Sequence, residues 1–159
     1  KFDGNGITTR AQLVTILYRY AGSPDVSGST PFTDVKSGEW YADAISWAYA
    51  NKVVNGVDDT HFGPNANLSR EQLVTILYRY CKSQGMDVSG SQSLTGFSDF
   101  NRVNTYAEVP MKWGVYAKLI SGMPEGGNMY LQPQGNANRA QIATIMMRFI
   151  DPTAEKEGK

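Results

Sequence analysis

Arginine stands directly after a helix-capping residue at three places: Arg10 after Thr9, Arg70 after Ser69 and Arg139 after Asn138. A cation is mildly unfavourable there, because the dipole at a helix N-terminus favours Asp and Glu. One account is an anion site, in which exposed N–H groups at the helix start and a fork-shaped guanidinium converge on a carboxylate, a bidentate pairing that Lys reproduces poorly. The other is a salt bridge, for example to Asp34 or Asp99, that staples one stretch of chain to the next. Spacing alone leaves both open. Other chemistries lack their parts. His61 is the single histidine, so a zinc site or a histidine-based triad cannot be assembled, and it reads as a solvated turn residue. The stretch DGNGIT at 3–8 has the middle of a calcium loop, but Lys1 and Gln12 occupy the positions of the first ligand and the bidentate acid. Asp58 and Asp59 sit together in a turn-rich stretch, where solvation explains adjacent acids without a glycosidase cleft. With no glycine-rich phosphate loop either, the chain is expected to be no enzyme and to need no cofactor.

The elements that must position these arginines are repeated. TRAQLVTILYRY at 9–20, SREQLVTILYRY at 69–80 and NRAQIATIMMRF at 138–149 are copies of one helix, spaced 60 and 69 residues apart. Thr9 with Gln12 and Ser69 with Gln72 have the spacing of a capping box; Asn138 with Gln141 is a looser case. Leu13, Ile16, Leu17 and Tyr20 recur at i, i+3, i+4 and i+7, as do Leu73, Ile76, Leu77, Tyr80 and Ile142, Ile145, Met146, Phe149, which predicts core stripes. Arg19, Arg79 and Arg148 read as helix-end cations favoured by the dipole.

Upstream of the second and third copies lie matching front halves, paired through Phe32 and Phe97, Asp34 and Asp99, Trp47 and Trp113, Gly56 and Gly122, and Pro64 and Pro133. A front helix is predicted near 40–51, with Trp47 and Trp113 as core residues. Gly56 falls where a helix C-terminal turn calls for positive φ. Pro110 falls near the first turn of the third copy's front helix, which is expected to start later than its counterpart. Ahead of the first copy only KFDGNGIT remains, Phe2 matching Phe62, so the first copy is read as having lost its front half. Its stripe of Leu13, Ile16 and Leu17 is then expected to be partly uncovered, which predicts self-association, as a swapped dimer, or a fraying first repeat. The Gly/Ser-rich stretches GSPDVSGST and MDVSGSQSLTG read as linkers.

Composition narrows the partners. Lys plus Arg and Asp plus Glu number 15 each, so there is no basic field to attract nucleic acid or anionic lipid. With 159 residues and 41% hydrophobic content, a buried core is expected. No apolar run approaches the ~20 residues of a membrane span, and the first residues form no signal peptide. The absence of an initiating Met suggests a mature or excised fragment. Cys81 has no cysteine partner and, standing where the first copy has Ala21, reads as a small core residue.

The pattern FTDV, then Trp40 and Trp47, NG, FGPNANL and SREQ resembles the S-layer homology repeat: an aromatic-x-Asp start, a Trp/Tyr helix, a glycine turn, F-x-P, then T-R-x-[EQ] opening a long helix. The resemblance covers nearly the whole chain. It implies an all-α fold of tandem helix-loop-helix repeats in a pseudo-threefold prism: the second half of a first repeat at 1–24, repeats at 31–86 and 96–151, and a flexible tail at 152–159. It also implies a non-catalytic, extracellular anchor on the cell wall or S-layer. Grooves between such repeats bind secondary cell-wall polysaccharide, usually carrying a pyruvate ketal on N-acetylmannosamine. On that reading Arg10, Arg70 and Arg139 meet the carboxylate, Trp40, Tyr41 and Tyr106 offer stacking faces, and Gly56 and Gly122 let backbone approach the sugar. The alternative is a structural or protein-interaction module of a surface protein. One departure is shared by all copies: Gln12, Gln72 and Gln141 stand where the family often has an acid, which keeps the capping bond and removes a charge.

Overall fold

The structure, a computed structural model, describes Gly6 and residues 8–147. Phe2, Arg148, Phe149 and the tail from 152 lie outside the described residues. Among the described residues the chain is mostly helical: α1 (Arg10–Tyr20), α2 (Ala42–Ala50), α3 (Arg70–Ser83), α4 (Glu108–Tyr116) and α5 (Arg139–Ile145). Strands β1 (Met123–Glu125) and β2 (Asn128–Tyr130) add a small hairpin.

Each of α1, α3 and α5 starts from a complete capping box. The Gln12 amide donates to Thr9 Oγ1 at 3.2 Å and the Thr9 amide to Gln12 Oε1 at 2.9 Å. Ser69 and Gln72 repeat this at 3.2 and 3.0 Å. Asn138, without a hydroxyl, still closes its box with Gln141, both bonds at 2.9 Å. The next unsatisfied donors of each helix start go to a loop. Arg10 N and Ala11 N donate to the carbonyls of Ala66 and Pro64, Arg70 N and Glu71 N to those of Gly135 and Pro133, and Arg139 N to that of Gly6. So each copy's helix leans on the loop ahead of another copy's helix. The residues just before the caps form a closed ring: Thr8 N donates to Ala137 O at 3.2 Å, Ala137 N to Leu68 O at 2.8 Å, and Leu68 N to Thr8 O at 2.8 Å.

The chain divides into two compact units. The first comprises residues up to Ala48, Gly56–Leu68 and those from Asn136 on. Here Leu13, Val14 and Leu17 of α1 are completely buried, Tyr18 meets Trp47 at 5.6 Å between ring centroids, and Phe32 meets Phe62 at 5.6 Å. The second unit comprises Tyr49–Asn55 and Ser69–Gly135. Leu73, Ile76, Leu77 and Tyr80 of α3 are buried, and Tyr78 meets Trp113 of α4 at 5.6 Å, the same ring pair as in the first unit. Gly114 brings α4 so near α3 that a Cβ there would stand 2.7 Å from Val74 Cγ1. Cys81 is fully buried, and burial pushes its thiol up to about 12.

Several expectations are corrected. The fold is mostly helical as expected, but it is not helix alone: MPEGGNMY closes as a hairpin pairing Met123 with Tyr130 and Glu125 with Asn128. Gly126 at φ 56° and Gly127 at φ 84° give the two positive values that a two-residue turn between twisted strands requires. The positive φ after the front helices falls on Lys52 (61°) and Lys118 (62°), not on Gly56 or Gly122. The front helix of the third copy starts level with its counterpart, since α2 and α4 place Trp47 and Trp113 at the same helical position. Pro110 is the third residue of α4, where its missing N–H breaks no intrahelical bond. Along α1, Leu13 and Leu17 are fully covered rather than partly exposed, whereas Ile16 is half-buried and Tyr20 is 48% exposed.

Candidate functional site

The three arginines that share a sequence position do not share an environment. Arg10 and Arg70 are buried, at 5% and 4% exposure, while Arg139 is exposed. Arg10 donates its Nε–H to the carbonyl of Phe62 at 3.0 Å and lies 4.6 Å above that residue's ring. Arg70 donates its Nε–H to the carbonyl of Leu131 at 2.9 Å and an Nη–H to that of Ser121 at 3.4 Å. Burial makes the Arg70 guanidinium easier to deprotonate than usual, opposed by the nearby charge of Asp99.

The aspartates expected as salt-bridge partners hold the same loop from its other side. Asp34 accepts from the amides of Phe62 and Gly63 at 2.8 and 2.9 Å, and Asp99 from those of Leu131 and Gln132 at 2.7 and 2.9 Å. Arginine takes the carbonyl and aspartate the amides of one short piece of backbone, once in each unit. Burial raises the Asp34 carboxyl, but the Phe62 and Gly63 amides more than reverse this and hold it below the usual carboxylate range. The amides that were to complete an anion site beside Arg10 and Arg70 are engaged by the loop carbonyls described above.

The glycines and aromatics separate in the same way. A Cβ on Gly56 would collide with the carbonyl oxygens of Asp58 and His61 and stand 2.6 Å from Phe32; one on Gly122 would stand 2.7 Å from both Met129 and Phe97. Their close approach is to the chain's own atoms. Tyr41 is buried at 6% and supports Trp40 edge-on, with ring centroids 5.0 Å apart. Tyr106 is 46% exposed and donates its hydroxyl to Glu71 at 3.0 Å. Trp40, 60% exposed, has the open aromatic face.

A cavity of about 410 Å³ in the first unit gathers what remains: Arg139, Arg19, Trp40, Gln12, Thr8 and Thr15, with Ile16, Tyr20 and Ile142 as apolar wall. Its size suits a small ligand. Both charged groups in its lining are guanidinium cations. Thr8 and Thr15 are 2% and 6% exposed, and their hydroxyls have no hydrogen-bond partner among the described residues. A buried hydroxyl left so costs ~1–3 kcal/mol. Two cations and an exposed indole thus share one cavity with an apolar wall. Arg19, whose place in the last turn of α1 has a sufficient dipole explanation, also lines this cavity. The signal was there: Gln12, Thr15, Ile16 and Arg19 follow at i, i+3, i+4 and i+7 and form a mixed polar face beside the apolar one.

Residues 31–74 match the S-layer homology domain. The chain is 29% identical to an amylopullulanase of Thermoanaerobacterium thermosulfurigenes, over 95% of this chain and 8% of that protein. It is 29% identical to the surface-layer 125 kDa protein of Lysinibacillus sphaericus, over 90% of this chain and 12% of that protein. A cellulosome-anchoring protein of Acetivibrio thermocellus is 24% identical over 90% of this chain and 32% of its own length. The chain thus spans a minor part of each of these relatives, which include surface-layer and anchoring proteins as well as an enzyme. Among the described residues no helix is long and apolar enough to cross a membrane.

Proposed function

We propose that the chain is a non-catalytic, extracellular module that anchors a larger protein to the cell surface by binding an acidic secondary cell-wall polysaccharide. The observation that carries this is the cavity that Arg19, Arg139 and Trp40 line together. A pyruvyl ketal on N-acetylmannosamine fits it chemically, its carboxylate toward the guanidinium groups and a sugar face toward the indole. For Arg10 and Arg70 the structural reading is favoured instead, since both are buried and hold loop carbonyls. We assign the second half of a first repeat at 1–24 and full repeats at 31–86 and 96–151, followed by a flexible tail at 152–159, to a pseudo-threefold prism. The closed backbone ring of residues 8, 68 and 137, one at the same place in each copy, supports that arrangement. The half-open face of Ile16 and Tyr20 belongs to the cavity, so covering it by self-association is the secondary reading.

The test is a pull-down of the chain on purified cell-wall sacculi, on sacculi stripped of secondary polymer, and on sacculi whose polymer has been depyruvylated. Retention on the first alone is expected. Equal retention on all three, or none on intact sacculi, sinks the polysaccharide reading and favours a protein-interaction module.

A further inference from the structure

The two units are built alike, yet one position breaks the likeness. Where the first unit has Ala11, completely buried, the second has Glu71, also buried at 2% exposure. Its carboxylate accepts from the Asn104 amide at 3.1 Å, the Asn104 side chain, the Tyr106 hydroxyl at 3.0 Å and Gln134 Nε2 at 3.4 Å. Tyr106 is the counterpart of Trp40, so the aromatic that stands over the cavity in one unit is tied down beside a carboxylate in the other. The rest of that helix face differs in the same direction. Ile76 and Tyr80 are buried at 3% and 5%, while the matching Tyr20 is 48% exposed. Thr75 donates its hydroxyl to the Glu71 carbonyl at 2.7 Å, while that of the matching Thr15 has no partner among the described residues.

We infer that Glu71 excludes the acidic ligand from the second unit, so that the chain carries a single working cavity of this kind, the one at Arg19, Arg139 and Trp40. This rests on the polysaccharide reading above. A ligand carboxylate brought to Tyr106 would meet a buried acid whose donors are already occupied, with like charge opposing it at short range. In the first unit the matching residue is alanine, so no buried carboxylate stands at that position.

Titration calorimetry of the full chain with a methyl glycoside of pyruvyl-ketal N-acetylmannosamine, read as stoichiometry, tests this. The wild type is expected to bind one equivalent, R139A none, and E71A, which installs the residue of the first copy, two. Should E71A lose its far-UV circular dichroism, E71Q replaces it; it keeps an acceptor for Asn104 and Tyr106, removes the charge, and is likewise expected to bind two. Two equivalents in the wild type, residual saturable binding in R139A, or one equivalent in the folded Glu71 variant overturns the inference. A wild type that binds none overturns the polysaccharide reading, and this inference with it.

Discussion

Truncating Arg70 to alanine removes the hydrogen bonds to the Leu131 and Ser121 carbonyls and leaves the fully buried Leu131 without its guanidinium donor. Hydrogen bonds to charged groups contribute ~1.5–3 kcal/mol, so R70A should lower the melting temperature by several degrees. R139A and R19A remove exposed side chains and should stay within ~0.5 kcal/mol of wild type while losing retention on sacculi. Thermal scans beside pull-downs separate the two roles, and an R139A chain as destabilised as R70A would contradict the division. Asp34 supplies a pH signature. Its folded carboxyl sits below its unfolded value, held there by the Phe62 and Gly63 amides. It therefore contributes stability above the ordinary carboxylate range and loses that contribution as pH falls through the folded value, because the unfolded chain takes up the proton first. Denaturation midpoints should fall on acidification from neutral pH, and part of that slope should vanish in D34N. That the arginines mattered was legible from their recurrence after a cap. What they touch was not, since the acceptors lie 52 and 61 residues away in loops whose course no local spacing records.

At the scale of the elements, Gly56 and Gly122 act through space rather than through φ. Alanine at either must displace an aromatic ring and its neighbours, Phe32 with the Asp58 and His61 carbonyls in one case, Phe97 with Met129 in the other. Overpacking of this kind costs ~1–3 kcal/mol, so G56A and G122A should both lower the urea midpoint. Alanine at Gly96, where nothing lies within 4 Å of the added Cβ, should leave it in place. If all three behave alike, the packing account fails. The capped helices α1, α3 and α5 were legible because cap, glutamine and apolar stripe agree locally, and even Asn138 obeyed the spacing once its side-chain oxygen took the hydroxyl's part. The hairpin was not, although Gly126 and Gly127 are the residues such a turn demands. Pro124 made its first strand read as loop, and strands of three residues leave too little alternation to register.

For the molecule as a whole, neutrality has a consequence for binding. With 15 cations against 15 anions, attraction to an acidic polymer must come from a small local cluster, not from a general field. Retention on sacculi should therefore fall by less than about tenfold between 50 and 200 mM salt, whereas a polycation making many phosphate contacts loses ~10³ or more over that range. A steep loss would point to diffuse electrostatic adhesion in place of a defined cavity. The repeat pattern disclosed the copies, but it did not disclose that the units differ: Glu71 looks like an ordinary first-turn acid until its four donors are seen. The ring at Thr8, Leu68 and Ala137 bears on how such a chain changes over generations. An open array of repeats can gain or shed an end copy at modest expense, because each copy contacts only its neighbours. Here every copy both gives and receives one bond of a closed circuit, so deleting any one breaks two of the three. Loss of any one copy is thus expected to weaken the two that remain.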